Sequence, residues 1–134
     1  AGLGSSSMAV RYGLPGPAEA ADYLRDSVLR QRLLVATSSV ATHLARRPAP
    51  ALGELMGSRI DALKLVSSMT LFREVAHRLN EVEPLPDLEE LGAKADAILR
   101  VAGEQSFPEC AYTRRQLASF AARTHGGSEG GRVR

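Results

Sequence analysis

The chain has 134 residues, of which 44% are hydrophobic and 4% aromatic, and it contains no Trp. This length favours one domain with one core, built from aliphatic side chains and methionine. The net charge is only +2, and the arginines are scattered or occur in pairs such as Arg46 and Arg47. Nucleic-acid binding requires a clustered basic surface, so we expect no nucleic-acid partner.

The single cysteine, Cys110, excludes an internal disulfide and a cysteine-rich zinc site. A lone cysteine is typical of a reducing compartment. The apolar stretches are far shorter than the roughly 20 residues of a membrane span, and no signal-peptide pattern is visible. We therefore expect a soluble cytoplasmic protein with no membrane contact, and nothing in the composition indicates a cofactor.

Residues 1–16 are rich in Gly and Ser, which is typical of a loop. Pro17 suits the first position of a short helix that ends at Arg25. Asp26 is a suitable N-cap for a second helix over residues 27–46. Apolar side chains recur along this helix at spacings of three and four, which predicts an inward face of Leu29, Leu33, Ala36, Val40 and Leu44.

The strongest helical periodicity follows a short turn of helix over residues 51–56, which Gly57 closes. Ser58 and Asp61 have the spacing of a capping box. Apolar residues then recur in threes and fours at Ala62, Leu65, Met69, Phe72, Ala76 and Leu79. Further apolar side chains occupy other sides of the same segment, which predicts a buried central helix.

Residues 80–86 form a predicted linker with two prolines, and Asp87 with Glu90 provides a cap signal for a helix over 88–102. The inward face of this helix is predicted to be Leu91, Ala95, Ile98 and Ala102. Because short connections join neighbouring elements, we expect this helix to dock on the central one.

Thr113 and Gln116 have the spacing of another capping box, which opens a last helix with Leu117 and Phe120 facing inward. The sequence thus predicts an all-α protein: a single small helical domain of about five helices around a central apolar helix. We assign the helical domain to residues 17–123, between a loop segment over 1–16 and a disordered tail over 124–134.

Polar side chains on the central helix form the best candidate site: Asp61, Lys64, Ser67 and Ser68. At about 100° per residue, Asp61, Lys64 and Ser68 lie on one side of the helix. In a structural interpretation, Asp61 caps the helix and pairs with Lys64. In a functional interpretation, these groups line a cleft and hold an anionic ligand, with Tyr12 on the opposite side.

Other motifs are weaker. The Gly2-Leu-Gly4 stretch lacks the third Gly, the Lys and the preceding strand of a phosphate-binding loop. His43 and His77 lie on separate predicted helices without a ligand partner one turn away, so we predict no metal site.

Several segments resemble the bacterial family called domain of unknown function 1810. The stretch over residues 1–12 is similar to its Gly-Leu-Gly…Met-Ala…Tyr segment, and residues 23–33 are similar to its helix pair. Residues 61–72, Asp-Ala-Leu-Lys-Leu-Val-Ser-Ser-Met-Thr-Leu-Phe, resemble its most distinctive motif, and residues 107–113 resemble the C-terminal region of actinobacterial members. The resemblance implies an all-helical fold, as in a mycobacterial relative, and it implies no activity.

One departure from the family is large. Family members begin with a helix and a Trp-rich segment ahead of the Gly-Leu-Gly stretch, and this opening is missing here. We therefore expect an N-terminally truncated chain that self-associates through the apolar surface that the missing segment would cover.

We predict a soluble intracellular helical domain that acts as a binding or interaction module, with a small anionic ligand or a protein as its partner. The alternative is a small-molecule enzyme whose site lies between Tyr12 and the helix over residues 61–70.

Overall fold

The computed structural model describes residues 16–107 and 113–119. Of these residues, 83% are helical and none forms a strand, which confirms the predicted all-α class. Five helices follow in chain order: α1 Pro17–Arg25, α2 Ser27–Leu44, α3 Leu52–Met56, α4 Arg59–Val82 and α5 Pro86–Glu104. Residues 113–119 are also helical and are called the C-terminal segment below. Within the described ranges, no helix is long and apolar enough to cross a membrane.

Local capping sets the first helix boundaries where the sequence predicted them. Pro17 occupies the first turn of α1, where its missing N–H costs nothing. Asp26 separates α1 from α2, and its Oδ1 accepts hydrogen bonds from the backbone N–H groups of Val28 at 2.9 Å and Leu29 at 3.0 Å. These bonds satisfy two of the donors that a helix start leaves unpaired.

The turn into α4 also follows local chemistry. Gly57 has a φ of 100°, in the left-handed region that side chains disfavour, and it ends α3. Ser58 is the N-cap of α4, and its Oγ accepts a hydrogen bond of 3.1 Å from the backbone N–H of Asp61. Asp61 completes the cap through its carboxylate, since Oδ2 lies 3.1 Å from Ser58 Oγ.

The connection between α4 and α5 is shorter than predicted. Helix α4 continues to Val82 and α5 begins at Pro86, so only three residues separate the two helices. Asn80 Oδ1 accepts a hydrogen bond of 2.8 Å from the backbone N–H of Leu85 in this turn. The predicted cap at Asp87 is wrong because Leu85 is the N-cap and Pro86 fills the first helical position.

The core lies along the antiparallel pair of α4 and α5. Ala62 near the start of α4 belongs to the same buried cluster as Ala102 near the end of α5. Val75 near the end of α4 shares a second cluster with Leu91 near the start of α5. The predicted inward face of α5 is confirmed, since Leu91, Ala95, Ile98 and Ala102 are all fully buried. The predicted docking of α5 on the central helix is confirmed as well.

The inward face predicted for α2 is confirmed only in part, since Leu44 is buried as predicted. The buried residues of this helix are Leu34, Thr37 and Leu44, whereas Ala36 is exposed and Leu33 is only half-buried. Apolar residues occupy several sides of α2, so periodicity alone does not select one face. The contact of α2 with α5 determines which of these sides is buried.

Arg30 ties three helices together at one end of the core. Its side chain is only 13% exposed. One Nη donates to the Leu24 carbonyl at the end of α1 at 2.9 Å, and Nε lies 3.4 Å from Asp87 Oδ2 at the start of α5. The Asp87 carboxylate therefore pairs across helices rather than capping its own helix.

Gln105 has a similar role at the opposite end of the core. Its side-chain oxygen accepts a hydrogen bond of 2.7 Å from the backbone N–H of Leu52, and its amide nitrogen donates to the Pro50 carbonyl at 2.9 Å. This side chain therefore fixes the start of α3 to the end of α5.

Truncation at the α4–α5 contact tests the core directly. We expect Leu91→Ala and Ile98→Ala each to lower the free energy of unfolding by about 2–5 kcal/mol, because each leaves a cavity where no water enters. Val35→Ala is the control, since Val35 on α2 is 61% exposed and its loss costs within about 0.5 kcal/mol. Urea denaturation measures all three, and losses well under 1 kcal/mol at Leu91 and Ile98 would contradict the packing.

Two buried threonines form a matched pair for a second test. Thr37 and Thr70 are 3% and 1% exposed. Thr37 Oγ1 has no hydrogen-bond partner, whereas Thr70 Oγ1 donates to the Val66 carbonyl at 2.8 Å. We expect Thr37→Val to leave the free energy of unfolding unchanged or to raise it by about 1 kcal/mol, because an unsatisfied hydroxyl is removed.

The same change at Thr70 removes a satisfied hydrogen bond, which contributes about 0.5–1.5 kcal/mol. Thr70→Val is thus expected to be the less stable variant in thermal and urea unfolding. Equal destabilisation of the two variants would show that the Thr37 hydroxyl is satisfied in solution.

Candidate functional site

The polar residues that the sequence grouped on α4 differ in burial. Asp61 is exposed, Lys64 and Ser68 are half-buried, and Ser67 is buried. Tyr12 lies outside the described residues, so the predicted cleft between Tyr12 and α4 stays a prediction.

The predicted ion pair between Asp61 and Lys64 does not form. The Asp61 carboxylate lies against the Ser58 hydroxyl instead, and no ion pair within 4.0 Å joins it to Lys64 among the described side chains. Ser58 and Lys64 are both three residues from Asp61, but the start of α4 holds the Ser58 hydroxyl at the N-cap, where it donates to the carboxylate. Asp61 is therefore a capping residue, and Lys64 is left without the partner that the sequence assigned to it.

A different polar cleft lies between α4 and the C-terminal segment. Its volume is about 290 Å³, and three arginines line it: Arg73 and Arg78 from α4, and Arg114 from the C-terminal segment. Leu117 is buried in the core cluster that contains Phe72. This apolar contact brings Arg114, one turn earlier on the same segment, alongside α4. We call this site the arginine cleft.

Arg73 has carboxylate partners at one side of the arginine cleft. Its Nε lies 3.5 Å from Glu74 Oε2, and one Nη lies 3.4 Å from Asp96 Oδ1 on α5. Glu74 also lines the cleft, whereas Asp96 does not. Arg73 thus links the cleft to the α4–α5 pair.

Arg78 differs from Arg73 because its Nε is buried and has no hydrogen-bond partner. The residue as a whole is half-buried, and among the described residues it has no ion pair. Burying an N–H of a charged guanidinium without an acceptor costs free energy. Among the described cleft residues, Arg78 is therefore the one whose buried N–H donor lacks an oxygen acceptor.

The remaining lining residues complete the character of the cleft. Thr70 contributes a hydroxyl whose proton is already donated to the Val66 carbonyl. Leu117 and Ala118 contribute an apolar wall. The described lining residues include three arginines and the carboxylate of Glu74, and this excess of guanidinium donors favours an anion over a cation.

A second and larger cleft, of about 610 Å³, lies between α4 and α5. Glu74, Glu89 and Asp96 line it together with Arg73 and His77. The described residues contain no group of three or more His, Cys, Asp or Glu side chains arranged to hold a metal ion. The sequence analysis was wrong that His77 lacks a neighbour of this kind one turn away, since its Nε2 lies 3.3 Å from Glu81 Oε2 on α4.

The sequence analysis did not find the arginine cleft. The available signal was a pair of arginines, Arg73 and Arg78, that lie five positions apart on a helix rich in apolar side chains. Arg114 is 36 residues beyond Arg78 and reaches the cleft only through the burial of Leu117. Scattered arginines in a sequence thus become neighbours through packing that no local pattern reveals.

Substitution of Lys64 tests whether it contributes to stability. We expect Lys64→Met to change the free energy of unfolding by no more than about 0.5 kcal/mol, because there is no ion pair to break. Ser58→Ala is the positive control and removes the cap of α4, with an expected loss of about 1 kcal/mol. A loss at Lys64 as large as that at Ser58 would indicate a closed Asp61–Lys64 pair in solution.

Comparison with known proteins supports the resemblance noted from the motifs. A sequence model of the family described as "Protein of unknown function (DUF1810)" matches residues 1–87, which is well over half of the chain. No curated protein and no solved structure matches the chain. The match includes Arg73 and Arg78 but ends before the C-terminal segment. The chain belongs to the family of proteins of unknown function designated DUF1810.

Proposed function

We propose that this chain is a binding module without catalytic activity, and that it takes up a small anionic ligand in the arginine cleft. The observation that carries the proposal is the buried Arg78 Nε without a hydrogen-bond partner, in a cleft that Arg73 and Arg114 also line. This Nε has almost no exposed surface, so an oxyanion in the cleft would accept from it after a shift of the Arg78 side chain.

A comparison with Arg30 supports the proposal. The Arg30 side chain is 13% exposed and has acceptors at the Leu24 carbonyl and the Asp87 carboxylate. That pattern is expected of an arginine with a structural role, because buried charges are paired. The Nε of Arg78 lacks such an acceptor, and a bound anion would supply one.

The chemistry of the lining favours binding over catalysis. Guanidinium groups remain protonated and serve as hydrogen-bond donors rather than as general bases. The Thr70 hydroxyl already donates to the Val66 carbonyl, and the carboxylate among the described lining residues, Glu74, lies against Arg73. The predicted anionic ligand is thus retained, and its proposed site moves from Lys64 to the arginines further along α4.

The proposed setting is the cytoplasm, where phosphorylated and carboxylated metabolites supply such anions. The single cysteine of the chain is typical of a reducing compartment.

Isothermal titration with inorganic sulfate at constant ionic strength tests the proposal. We expect saturable binding to the native chain and a loss of affinity of about tenfold or more in Arg78→Met, because a charge-assisted hydrogen bond contributes about 1.5–3 kcal/mol. Methionine matches the arginine side chain as far as the position of Nε, so the fold is expected to persist, which a thermal melt verifies.

Arg100→Met is the matched control. Arg100 is exposed on α5 and lines none of the clefts described above, so the change removes the same charge away from the site. It should bind sulfate like the native chain. Absence of saturable binding, or equal loss in the two variants, would overturn the proposal.

A further inference from the structure

We propose that two copies of this chain form a two-fold symmetric dimer through the first half of α2 and the turn between α4 and α5. In this dimer Val82 of each copy occupies a groove on α2 of the other copy, and Glu83 beside it pairs with Arg32 across the interface. No residue of the arginine cleft is needed for this contact, so it stands independently of the proposed function.

The first part of the surface is an apolar groove along α2. Val28 and Val35 lie two helical turns apart on one side of this helix, and they are 57% and 61% exposed. Both line an open groove of about 640 Å³, together with Ala36 and several polar side chains. Among the described residues, four large hydrophobic side chains are exposed, and this groove contains two of them. A surface that covers the groove would remove this apolar area from water.

Arg32 supplies the charge at this groove. Its side chain is exposed and lines the groove between the two valines, and within the described ranges it has no ion pair. Its own helix offers no carboxylate, because α2 contains no acidic residue. Arg30 also lines the groove, but Leu24 and Asp87 already supply its acceptors. The groove therefore suits a partner that presents an apolar side chain next to a free carboxylate.

The turn between α4 and α5 presents this combination. Val82 is the last residue of α4 and is 85% exposed. Glu83 follows it as the C-cap, is exposed, and has no ion pair among the described side chains. A negative charge at the C-terminal end of a helix is unfavourable for that helix. Glu81, on the other side of Val82, already lies 3.3 Å from His77, so Glu83 is the carboxylate available to a partner.

The two parts of the surface adjoin, which permits a closed dimer. Arg30 lines the α2 groove and also a smaller cleft of about 260 Å³ that includes Val82 and Glu83. In a two-fold dimer the same patch meets itself, so one patch has to contain both complementary parts. Their proximity around Arg30 meets this requirement. Each contact is then made twice, and association ends at two copies.

Sedimentation velocity at increasing protein concentration, up to about 1 mM, tests the dimer. We expect a monomer–dimer equilibrium with a dissociation constant of about 100 μM, because small interfaces are typical of weak association. Higher salt should weaken the dimer, since the Arg32–Glu83 contact lies at the surface.

A charge exchange identifies the contact. Arg32→Glu and Glu83→Arg should each weaken the dimer by about tenfold or more, because like charges then face each other at two places. An equal mixture of these two variants should dimerise like the native chain, because both contacts of the mixed dimer again join opposite charges. Arg100→Glu is the control, since Arg100 is exposed on α5 and lines neither cleft.

A second set of variants tests the apolar part of the contact. Val82→Ser should weaken the dimer by about tenfold or more, because the lost apolar burial is counted twice. Ile60→Ser is the matched control, since Ile60 is 54% exposed at the opposite end of α4. Thermal melts at low micromolar concentration, where the native dimer dissociates, verify that each variant is folded.

The possible results separate the dimer from other occupants of the groove. A native chain that stays monomeric up to about 1 mM would overturn the proposal. A dimer that resists the charge variants, or a mixture that fails to recover, would assign association to another surface and overturn it as well. Masses beyond two copies would indicate a head-to-tail chain and contradict the two-fold contact. A monomer that binds a synthetic acidic amphipathic helix, and loses this binding in Val35→Ser, would assign the groove to a different protein.

Discussion

The antiparallel contact between α4 and α5 is the constraint on which the rest of the structure depends. Both core clusters extend along it, one at each end. Alanines are fully buried on both helices, Ala62 and Ala76 on α4 and Ala95 and Ala102 on α5. Small side chains at a contact permit a close approach of two helices, which brings the larger neighbours into dense packing. The remaining helices are arranged around this pair, with α1 and α3 against α4 and α2 against α5.

Polar side chains at the two ends of the core join helices that the apolar contacts alone would leave loosely connected. Arg30 joins α1 and α2 to the start of α5, and Gln105 joins the end of α5 to the start of α3. Each side chain bonds to at least one group far away in the sequence: Arg30 to Asp87, and Gln105 to Pro50 and Leu52. Arg78 stands apart from this pattern, because it is placed by the same core and still lacks an acceptor for its buried Nε. Within one small domain, the Arg30 guanidinium thus has acceptors, whereas the buried Nε of Arg78, a residue that lines the arginine cleft, has none.

Prediction from the sequence succeeded where the determinants are local. Asp26 and Ser58 were identified as caps, and both accept backbone hydrogen bonds at their helix starts. The inward face of α5 was identified because it carries one apolar stripe. The inward face of α2 was identified only in part, because that helix is apolar on several sides and its contact with α5 determines which side is buried. The predicted cap at Asp87 was wrong for a related reason. Pro86 begins α5, and the Asp87 carboxylate pairs with Arg30 instead of capping its own helix.

The amino-acid sequence by itself determined the all-α class and the starts of α1, α2 and α4, because hydrogen bonds and steric limits between near neighbours set these features. The motif at residues 61–72 also marked the family. Tertiary structure decided which side of α2 is buried, the partner of Asp87, and the existence of the arginine cleft. That cleft combines side chains of α4 with Arg114, and only the burial of Leu117 against the far end of the core brings them together. Packing across more than 30 residues depends on the summed contacts of the whole domain, which no local spacing in the sequence specifies.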